Sequence, residues 1–212
     1  MILLLIAVIY STSTSSGAFW VTKKSANWSG SMYVANSCIH SGNNNPESSH
    51  SGTTIYQSTV VTNLFQEADA HCKYDTGVPS GDGDGYHTTT SGSYRAKSTF
   101  TLTGIIDQSS GGSSHSYLDL IVTLYYYSGS VINVGTTSYR ISGGNFDGSS
   151  YTVTTSSGYV SSGENLHIKI EIHLHADGTY SEGNIQNYFY GGSNDIVINS
   201  YQFQYYDTGP II

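Results

Sequence analysis

One stretch of the chain, from Leu166 to Ala176, combines metal-ligating and charged side chains at a regular spacing. Apolar residues alternate in it with five polar ones: His167, Lys169, Glu171, His173 and His175. Every second side chain of a β-strand points to the same face, so these five would share one. The spacing His173-x-His175 is common in metal sites. A face that combines His, Lys and Glu can also titrate at about pH 6. A cupin-like centre needs a Glu a few residues later, and Glu182 is too distant, which favours an exposed or interfacial polar face.

A second pattern with chemical potential is Gly81-Asp82-Gly83-Asp84-Gly85. Carboxylates at alternate positions among glycines are typical of the start of calcium loops, because the backbone can wrap around the ion. The EF-hand pattern fails here because no Glu stands at the twelfth position. Asp82 and Asp84 are therefore candidate calcium ligands, and a plain flexible turn is the favoured alternative. We expect no other cofactor.

Signals of catalysis are weak in this sequence. It contains no G-x-S-x-G motif, and its serines lie in turn-like clusters. Glycoside hydrolysis by two of Glu164, Glu171 and Glu182 stays open, but their spacing does not favour it. We expect no enzymatic activity.

Rows of tyrosines suggest sugar binding through flat amphipathic rings, although Tyr is also a common strand residue. They are Tyr125, Tyr127, Tyr188, Tyr190, Tyr201, Tyr205 and Tyr206.

Strand signals dominate the chain that must position these residues. After Leu166–Ala176, the turn signal Asp177-Gly178 predicts a hairpin whose return strand runs through Ile185 to Tyr190. Tyr117–Tyr127 also alternates, and a turn leads from it into Val131–Val134. Further strands are expected at 30–36, 53–62, 93–104, 137–141, 151–155 and 196–206. Gly/Ser/Asn/Asp clusters separate the strands, at 41–52, 79–85, 109–115, 142–150 and 191–195.

A single helix is expected at Asn63–Lys73, where Leu64, Phe65, Ala68 and Cys72 have helical spacing. About ten short strands separated by turns predict an all-β fold. We expect an antiparallel β-sandwich, jelly-roll-like, as one domain over residues 19–212.

The composition excludes several functional classes. Charged residues make up 10% of the 212 residues, with 7 Lys and Arg against 15 Asp and Glu, a net charge of −8. So few basic residues exclude a nucleic-acid-binding face. The 19 tyrosines exclude the charged, aromatic-poor kind of disorder, and the scarcity of Ala, Glu, Lys and Leu excludes coiled coils. A surface of Ser, Thr, Asn, Gly and Tyr is expected on a secreted or cell-surface protein.

The cysteines and one sequon agree with an extracellular location. Cys38 and Cys72 are the chain's 2 cysteines, which in an exported protein indicates one disulfide; two buried thiols are the alternative. Asn27-Trp28-Ser29 is a glycosylation sequon, so a glycan on Asn27 is expected.

Residues 1–18 form an apolar N-terminal segment and a linker. Met1–Tyr10 is apolar and uncharged and is followed by STSTSSGA. A bilayer span needs about 20 apolar residues, so the run is too short to cross a membrane. It is either a signal peptide with a cleavage site near Ala18, although it lacks a basic residue, or a retained strand. A retained strand would complete a neighbour's sheet through its polymer-contact residues: Ile2, Leu3, Leu4, Leu5, Ile6, Val8 and Ile9.

The apolar Met1–Tyr10 segment, the STSTSSG linker and the Tyr/Ser/Thr-rich sandwich together resemble archaeal extracellular donor-strand filament subunits of the thread and bundling-pilus type. The resemblance covers architecture alone. It implies a head-to-tail homopolymer with a role in adhesion or biofilm and no catalysis. The single sequon departs from the heavily glycosylated members.

Two functions are expected from these features. The first is a structural subunit of an extracellular filament, polymerising by donation of its N-terminal strand. The alternative is a secreted carbohydrate-binding module or adhesin that contacts surface glycans. The fate of residues 1–18 separates the two, because the filament needs them retained and the module predicts their removal.

Overall fold

The computed structural model describes residues 18–27, 37–42, 46–51, 54–61, 67–77, 85–107, 116–177, 185–190 and 193–209. Its regular structure is entirely β-strand in these ranges. The first seven strands are β1 (Phe19–Asn27), β2 (Ser37–Gly42), β3 (Glu47–Ser51), β4 (Thr54–Val61), β5 (Glu67–Asp75), β6 (Tyr86–His87) and β7 (Gly92–Ile106). The others are β8 (Ser116–Tyr127), β9 (Val131–Ile141), β10 (Gly144–Thr154), β11 (Gly158–Val160), β12 (Asn165–Asp177), β13 (Ile185–Phe189) and β14 (Asp195–Asp207).

The strands form two antiparallel sheets. Sheet A has the order β1-β14-β4-β13-β7-β10, with β3 beside β4, β11 beside β7, and a long pairing between β14 and β7. Sheet B has the order β2-β5-β12-β8-β9, and β6 pairs with the start of β12. The two sheets pack face to face around one apolar core.

The strand order is that of a jelly roll. In sheet A, β4, β14, β7 and β10 are successive hydrogen-bonded neighbours, and in sheet B the sequence is β5, β12, β8 and β9. In chain order these eight strands are β4, β5, β7, β8, β9, β10, β12 and β14. Numbered 1 to 8 in that order, they give the sequence 1-8-3-6 across sheet A and 2-7-4-5 across sheet B. This wrapping of a long hairpin into two sheets defines the jelly roll. The predicted antiparallel jelly-roll sandwich is confirmed.

The inward face of β12 is the one expected from the sequence. Its apolar residues, from Leu166 to Ala176 at every second position, have 0% exposure. They meet an equally buried row from sheet A that includes Phe100, Leu102 and Phe203. Each large apolar side chain buried in this way contributes about 1.5–3 kcal/mol, so the alternation itself holds the two sheets together.

The predicted helix at Asn63–Lys73 is wrong over its described part, which begins at Glu67. Residues 67–75 form β5, which lies between β2 and β12 and pairs with both. The alternating burial of Ala68, Ala70, Cys72 and Tyr74 explains the difference, because small and aromatic residues at period two fit a strand covered on one face.

Two of the predicted turn clusters also contain strands. The cluster 142–150 contains the start of β10, which passes Gly148 (φ 65°) at a register shift between Phe146 and Ser149. A bulge of this kind lets a Gly-rich segment stay in the sheet. The cluster 41–52 contains the end of β2 and all of β3.

The predicted disulfide is confirmed: Cys38 of β2 is bonded to Cys72 of β5, its register partner. Asn27 is the last residue of β1, opposite Ser200, and its glycosylation stays a prediction. The polymer-contact residues between Ile2 and Ile9, the candidate calcium ligands Asp82 and Asp84, and the predicted strand at 30–36 lie outside the described residues. Within the described part of the chain, we find no helix with the length and hydrophobicity of a membrane span.

Candidate functional site

The outward side chains of β5, β12 and β8 form a continuous surface, which we call the polar face of sheet B. The register between the strands determines which residues meet on it. His167 lies beside Tyr125, and Glu171 lies between Lys73 and Ile121. The face therefore has a cluster at each end and charged residues at its centre.

One end of the polar face holds a cluster of Asp69, His173 and His175. His173 Nε2 and His175 Nδ1 each donate a hydrogen bond of 2.7 Å to the same oxygen, Asp69 Oδ1. Burial raises the pKa of Asp69, but the hydrogen bonds and charges of His175 and His173 outweigh it and leave the pKa below its ordinary value. At neutral pH the cluster therefore contains an ionised Asp69 carboxylate, and one imidazole nitrogen of each histidine points at its Oδ1 atom.

Residues of β8 and β9 support this cluster from one side. The His175 ring stacks on Tyr117 with centroids 4.8 Å apart. The Arg140 guanidinium lies over the Tyr117 ring, 3.5 Å from its centroid. It also donates hydrogen bonds to both carboxylate oxygens of Asp119, at 2.9 and 2.7 Å. Arg140 and Asp119 thus form an ion pair.

Glu171 lies at the centre of the polar face among positive groups. Lys169 Nζ is 3.1 Å from Glu171 Oε2, while Lys73 Nζ and His71 Nε2 are 3.6 and 3.8 Å from Oε1. Burial raises the pKa of Glu171, but the hydrogen bond and charge of Lys169, with Lys73 and His71, bring it below its ordinary value. Burial and then the charge of Lys73 lower the pKa of His71.

The other end of the polar face holds Asp75, Tyr125 and His167. The Tyr125 hydroxyl donates to Asp75 Oδ2, and the His167 ring stacks on Tyr125 with centroids 5.0 Å apart. Burial, followed by the hydrogen bond to Asp75, raises the pKa of Tyr125. His167 is 2% exposed, although the sequence predicts it on a polar strand face, because Tyr127 also packs against its ring.

A cavity of about 460 Å³ opens beside this end of the polar face. Charged, hydroxyl, amide and aromatic groups all line it: Asp75, Ile121, Thr123, Tyr125, Tyr127, Val131, Asn133, Thr136, Lys169 and Glu171. A concave site with convergent polar groups and aromatic rings can hold a small polar ligand.

The strand β9 forms the edge of sheet B next to this cavity. It pairs with β8 from Val131 to Ile141, and in the described part of the chain it has no strand partner on its other side. Three of its apolar side chains are exposed: Val131 (59%), Ile132 (36%) and Tyr139 (47%). Tyr139 also contacts Tyr151 of β10, with centroids 5.9 Å apart.

The residues selected from the sequence are only partly brought together. His173 and His175 do share a face, as predicted, and Asp69 is the neighbour that the sequence analysis missed. The tyrosines do not form one row: Tyr125 and Tyr127 border the cavity, whereas Tyr201 is in the core. Glu182 lies outside the described residues.

Comparisons with known proteins assign no family. No family model matches the chain, and no curated protein matches it. Among solved structures, the enzymatically active domain of tailspike protein 4 from bacteriophage CBA120 is similar with a TM-score of 0.27 and 14% identity. The match covers 84% of this chain and 19% of the tailspike chain. A likeness of this degree carries no conclusion about function.

Proposed function

We propose that this protein is a structural subunit of an extracellular filament, in which the apolar N-terminal segment of one subunit pairs with β9 of the next. The observation that supports it is that, among the described residues, no strand pairs with the outer edge of β9. Natural sheets cover an exposed edge or guard it with charged residues and proline, because unpaired backbone groups recruit other strands. The 11 residues of β9 include no proline.

The single charged residue of β9 does not guard the edge. Arg140 is held over the sheet by Asp119 and Tyr117, so its charge lies on the polar face. Along the edge, Ile132 and Tyr139 are exposed instead. An exposed strand of this length with apolar side chains is suited to β-augmentation by an extended peptide.

The N-terminal segment has the length and composition of a partner for this edge. Ile2–Ile9 would extend over about 27 Å, within the roughly 37 Å of β9, at about 3.4 Å per residue. Each large apolar side chain that it buries against a neighbour would contribute about 1.5–3 kcal/mol. Donor and acceptor lie in different parts of the chain, so the contact is heterologous and propagates into a filament.

The test compares filament formation by native protein and by variants in negative-stain microscopy and sedimentation. Deletion of Ile2–Ile9 should leave soluble monomers. The substitutions Ile132→Lys and Tyr139→Lys place charges on the exposed edge and should shorten or abolish filaments. Tyr159→Lys is the matched control, since Tyr159 is an even more exposed tyrosine (71%) on β11 of sheet A, and it should leave assembly unchanged.

Two results would count against the proposal. Native protein that stays monomeric at high concentration would reject the filament. Filaments that disappear on deletion of Ile2–Ile9 but tolerate both edge substitutions would reject β9 as the acceptor, and β2, the opposite edge of sheet B, would be tested next.

A second candidate function is recognition of surface glycans, which the cavity beside Tyr127 favours. Sugar hydroxyls suit its paired hydrogen-bonding groups, such as Lys169 and Glu171, and sugar rings pack on tyrosine. Glycan-array binding should be lost in Tyr127→Ala and retained in Tyr159→Ala, since both rings are exposed (58% and 71%) and only Tyr127 lines the cavity. Absence of glycan binding by the native protein would reject this candidate.

A further inference from the structure

The cluster of Asp69, His173 and His175 has the donor atoms of a metal site. We propose that these three side chains bind a divalent transition-metal ion of the type that prefers imidazole, with Zn²⁺ as the probe. Two neutral imidazoles and one carboxylate are a common set of protein ligands for such ions, with a water in the fourth position. The proposal does not depend on filament formation or on glycan binding.

The geometry of the three ligand atoms supports the proposal. His173 Nε2 and His175 Nδ1 both approach Asp69 Oδ1 at 2.7 Å, and the three potential ligand atoms lie within 4.8 Å of one another. Zinc binds nitrogen at about 2.0–2.1 Å and carboxylate oxygen at about 2.0–2.2 Å. A small withdrawal of the Asp69 carboxylate would therefore open a position between the three atoms. Each neutral imidazole would bind in the tautomer that carries its proton on the other ring nitrogen, so that the nitrogen directed towards this position offers its lone pair.

The strands hold these ligands in place. His173 and His175 are two residues apart on β12, so their side chains lie on one face, and Asp69 is the register partner of His175 on β5. Stacking on Tyr117 fixes the orientation of the His175 ring. Ligands held by regular strands and by outer contacts lose less freedom when they bind a metal.

The cluster is also accessible from solvent. The side chains of Asp69 and His173 are each 31% exposed, and that of His175 is 15% exposed. A cavity of about 210 Å³ adjoins them and is lined by Ile39, His40, Ser41, Asp69, His71 and His173. It offers an entry path and space for a water ligand. Two further imidazoles, His40 and His71, line the same cavity.

The test uses untagged full-length protein treated with EDTA and dialysed. Titration with ZnCl₂ in a calorimeter should give one ion bound per chain. Bound Co²⁺ should produce visible d–d absorption, which should disappear when Zn²⁺ displaces the Co²⁺. Asp69→Asn and His173→Ala should each weaken Zn²⁺ binding at least tenfold. His87→Ala is the matched control and should bind as the native protein does, because His87 is an exposed histidine on β6 that contacts Asn165.

Thermal melting in EDTA shows whether each variant is folded, and the Co²⁺ spectrum of the native protein gives a reading that needs no variant. Native protein that binds no Zn²⁺ at micromolar concentration and gives no Co²⁺ absorption would overturn the proposal. So would Zn²⁺ binding that folded Asp69→Asn and His173→Ala retain at full strength, since the ion would then be held elsewhere.

Discussion

The outer faces of the two sheets have different chemistry, although both cover the same core. On sheet A, neutral side chains form hydrogen bonds between β7 and β14: Thr99 Oγ1 to Ser200 Oγ at 2.7 Å, and Asn199 Nδ2 to Thr101 Oγ1 at 2.7 Å. The corresponding surface of sheet B is the polar face, where carboxylates, lysines and histidines contact one another.

This difference shows how a chain with 10% charged residues can still concentrate its ion pairs on one surface. Neutral hydrogen bonds contribute about 1 kcal/mol each and change little with salt or pH. Partly buried charges must have partners, so each group on the polar face of sheet B depends on its neighbours. The ion pairs named above lie on this face of sheet B, whereas cations of sheet A contact neutral or aromatic partners: Arg95 contacts Gln204 and Trp20, and Lys23 contacts Tyr205.

The largest expected effect concerns the disulfide, which cross-links sheet B alone. Replacing Cys38 and Cys72 with Ala should lower the free energy of unfolding by about 4 kcal/mol, because the bond closes a long loop in the unfolded chain. The sequence separation is 34 residues. Urea denaturation measures the loss, and hydrogen exchange should show it first in β2 and β5.

Native protein in a reducing buffer is the control for that experiment and should unfold at the same urea concentration as the double variant. A change below about 1 kcal/mol would mean that the strand pairing of β2 is sufficient without the bond. An equal loss of hydrogen-exchange protection in sheets A and B would show that the two sheets unfold as one unit. The disulfide would then not stabilise sheet B more than sheet A.

The strand with the clearest alternation is also one whose bounds and buried face the sequence predicts correctly. β12 has apolar residues at every second position from Leu166 to Ala176, so its period and its buried face are both evident. β5 was misassigned because Ala68 and Cys72, four residues apart, fit a helix as well as a strand. The predicted strand at 151–155 covers only the end of β10, because Gly144 and Gly148 in its first half indicate turns, whereas the sheet accommodates this half with a bulge between Phe146 and Ser149.

The candidate site shows a different limit of sequence reasoning. His173 and His175 are close in sequence, so their common face is predictable from local spacing. Asp69 lies 104 residues before His173, and only the register between β5 and β12 brings them together. A pairing register depends on the whole sheet, so no local pattern could have identified the third ligand.

A smaller effect compares one contact from each outer face. Asp119→Asn on sheet B should cost about 1–2 kcal/mol, because it removes the negative charge to which Nε and Nη2 of Arg140 donate hydrogen bonds. The exposure of the Arg140 side chain, 51%, places the value at the low end. Thr99→Val on sheet A should cost about 1 kcal/mol or less, since it removes one neutral hydrogen bond.

Salt separates these two contacts in urea denaturation. The cost of Asp119→Asn should shrink in about 1 M NaCl, where the Debye length is about 3 Å, and the cost of Thr99→Val should stay constant. Equal salt dependence of the two variants would contradict the assignment of an ion pair to Asp119 and of a neutral hydrogen bond to Thr99.

The smallest expected effect concerns Asp195, an acidic residue of sheet A. Asp195 is the first residue of β14, opposite Thr103, and burial raises its pKa above the ordinary value. Burial in the folded protein favours the protonated form of this carboxyl over the ionised form. Its contribution to stability is therefore present at low pH and is lost as the pH rises through the raised pKa. Asp195→Asn should therefore be more stable than the native protein at pH 7, by about 0.5 kcal/mol.

The pH dependence of that gain gives the sharper test. The difference between Asp195→Asn and native protein should shrink as the pH falls through the raised pKa of Asp195. It should vanish below the ordinary pKa of an Asp, where the carboxyl is neutral in both the folded and the unfolded chain. Asp207→Asn is the matched control on the same strand and should give no gain, since Asp207 Oδ1 accepts a hydrogen bond of 2.9 Å from the Gly209 amide. A loss of stability in Asp195→Asn at pH 7 would mean that this carboxylate has a stabilising partner.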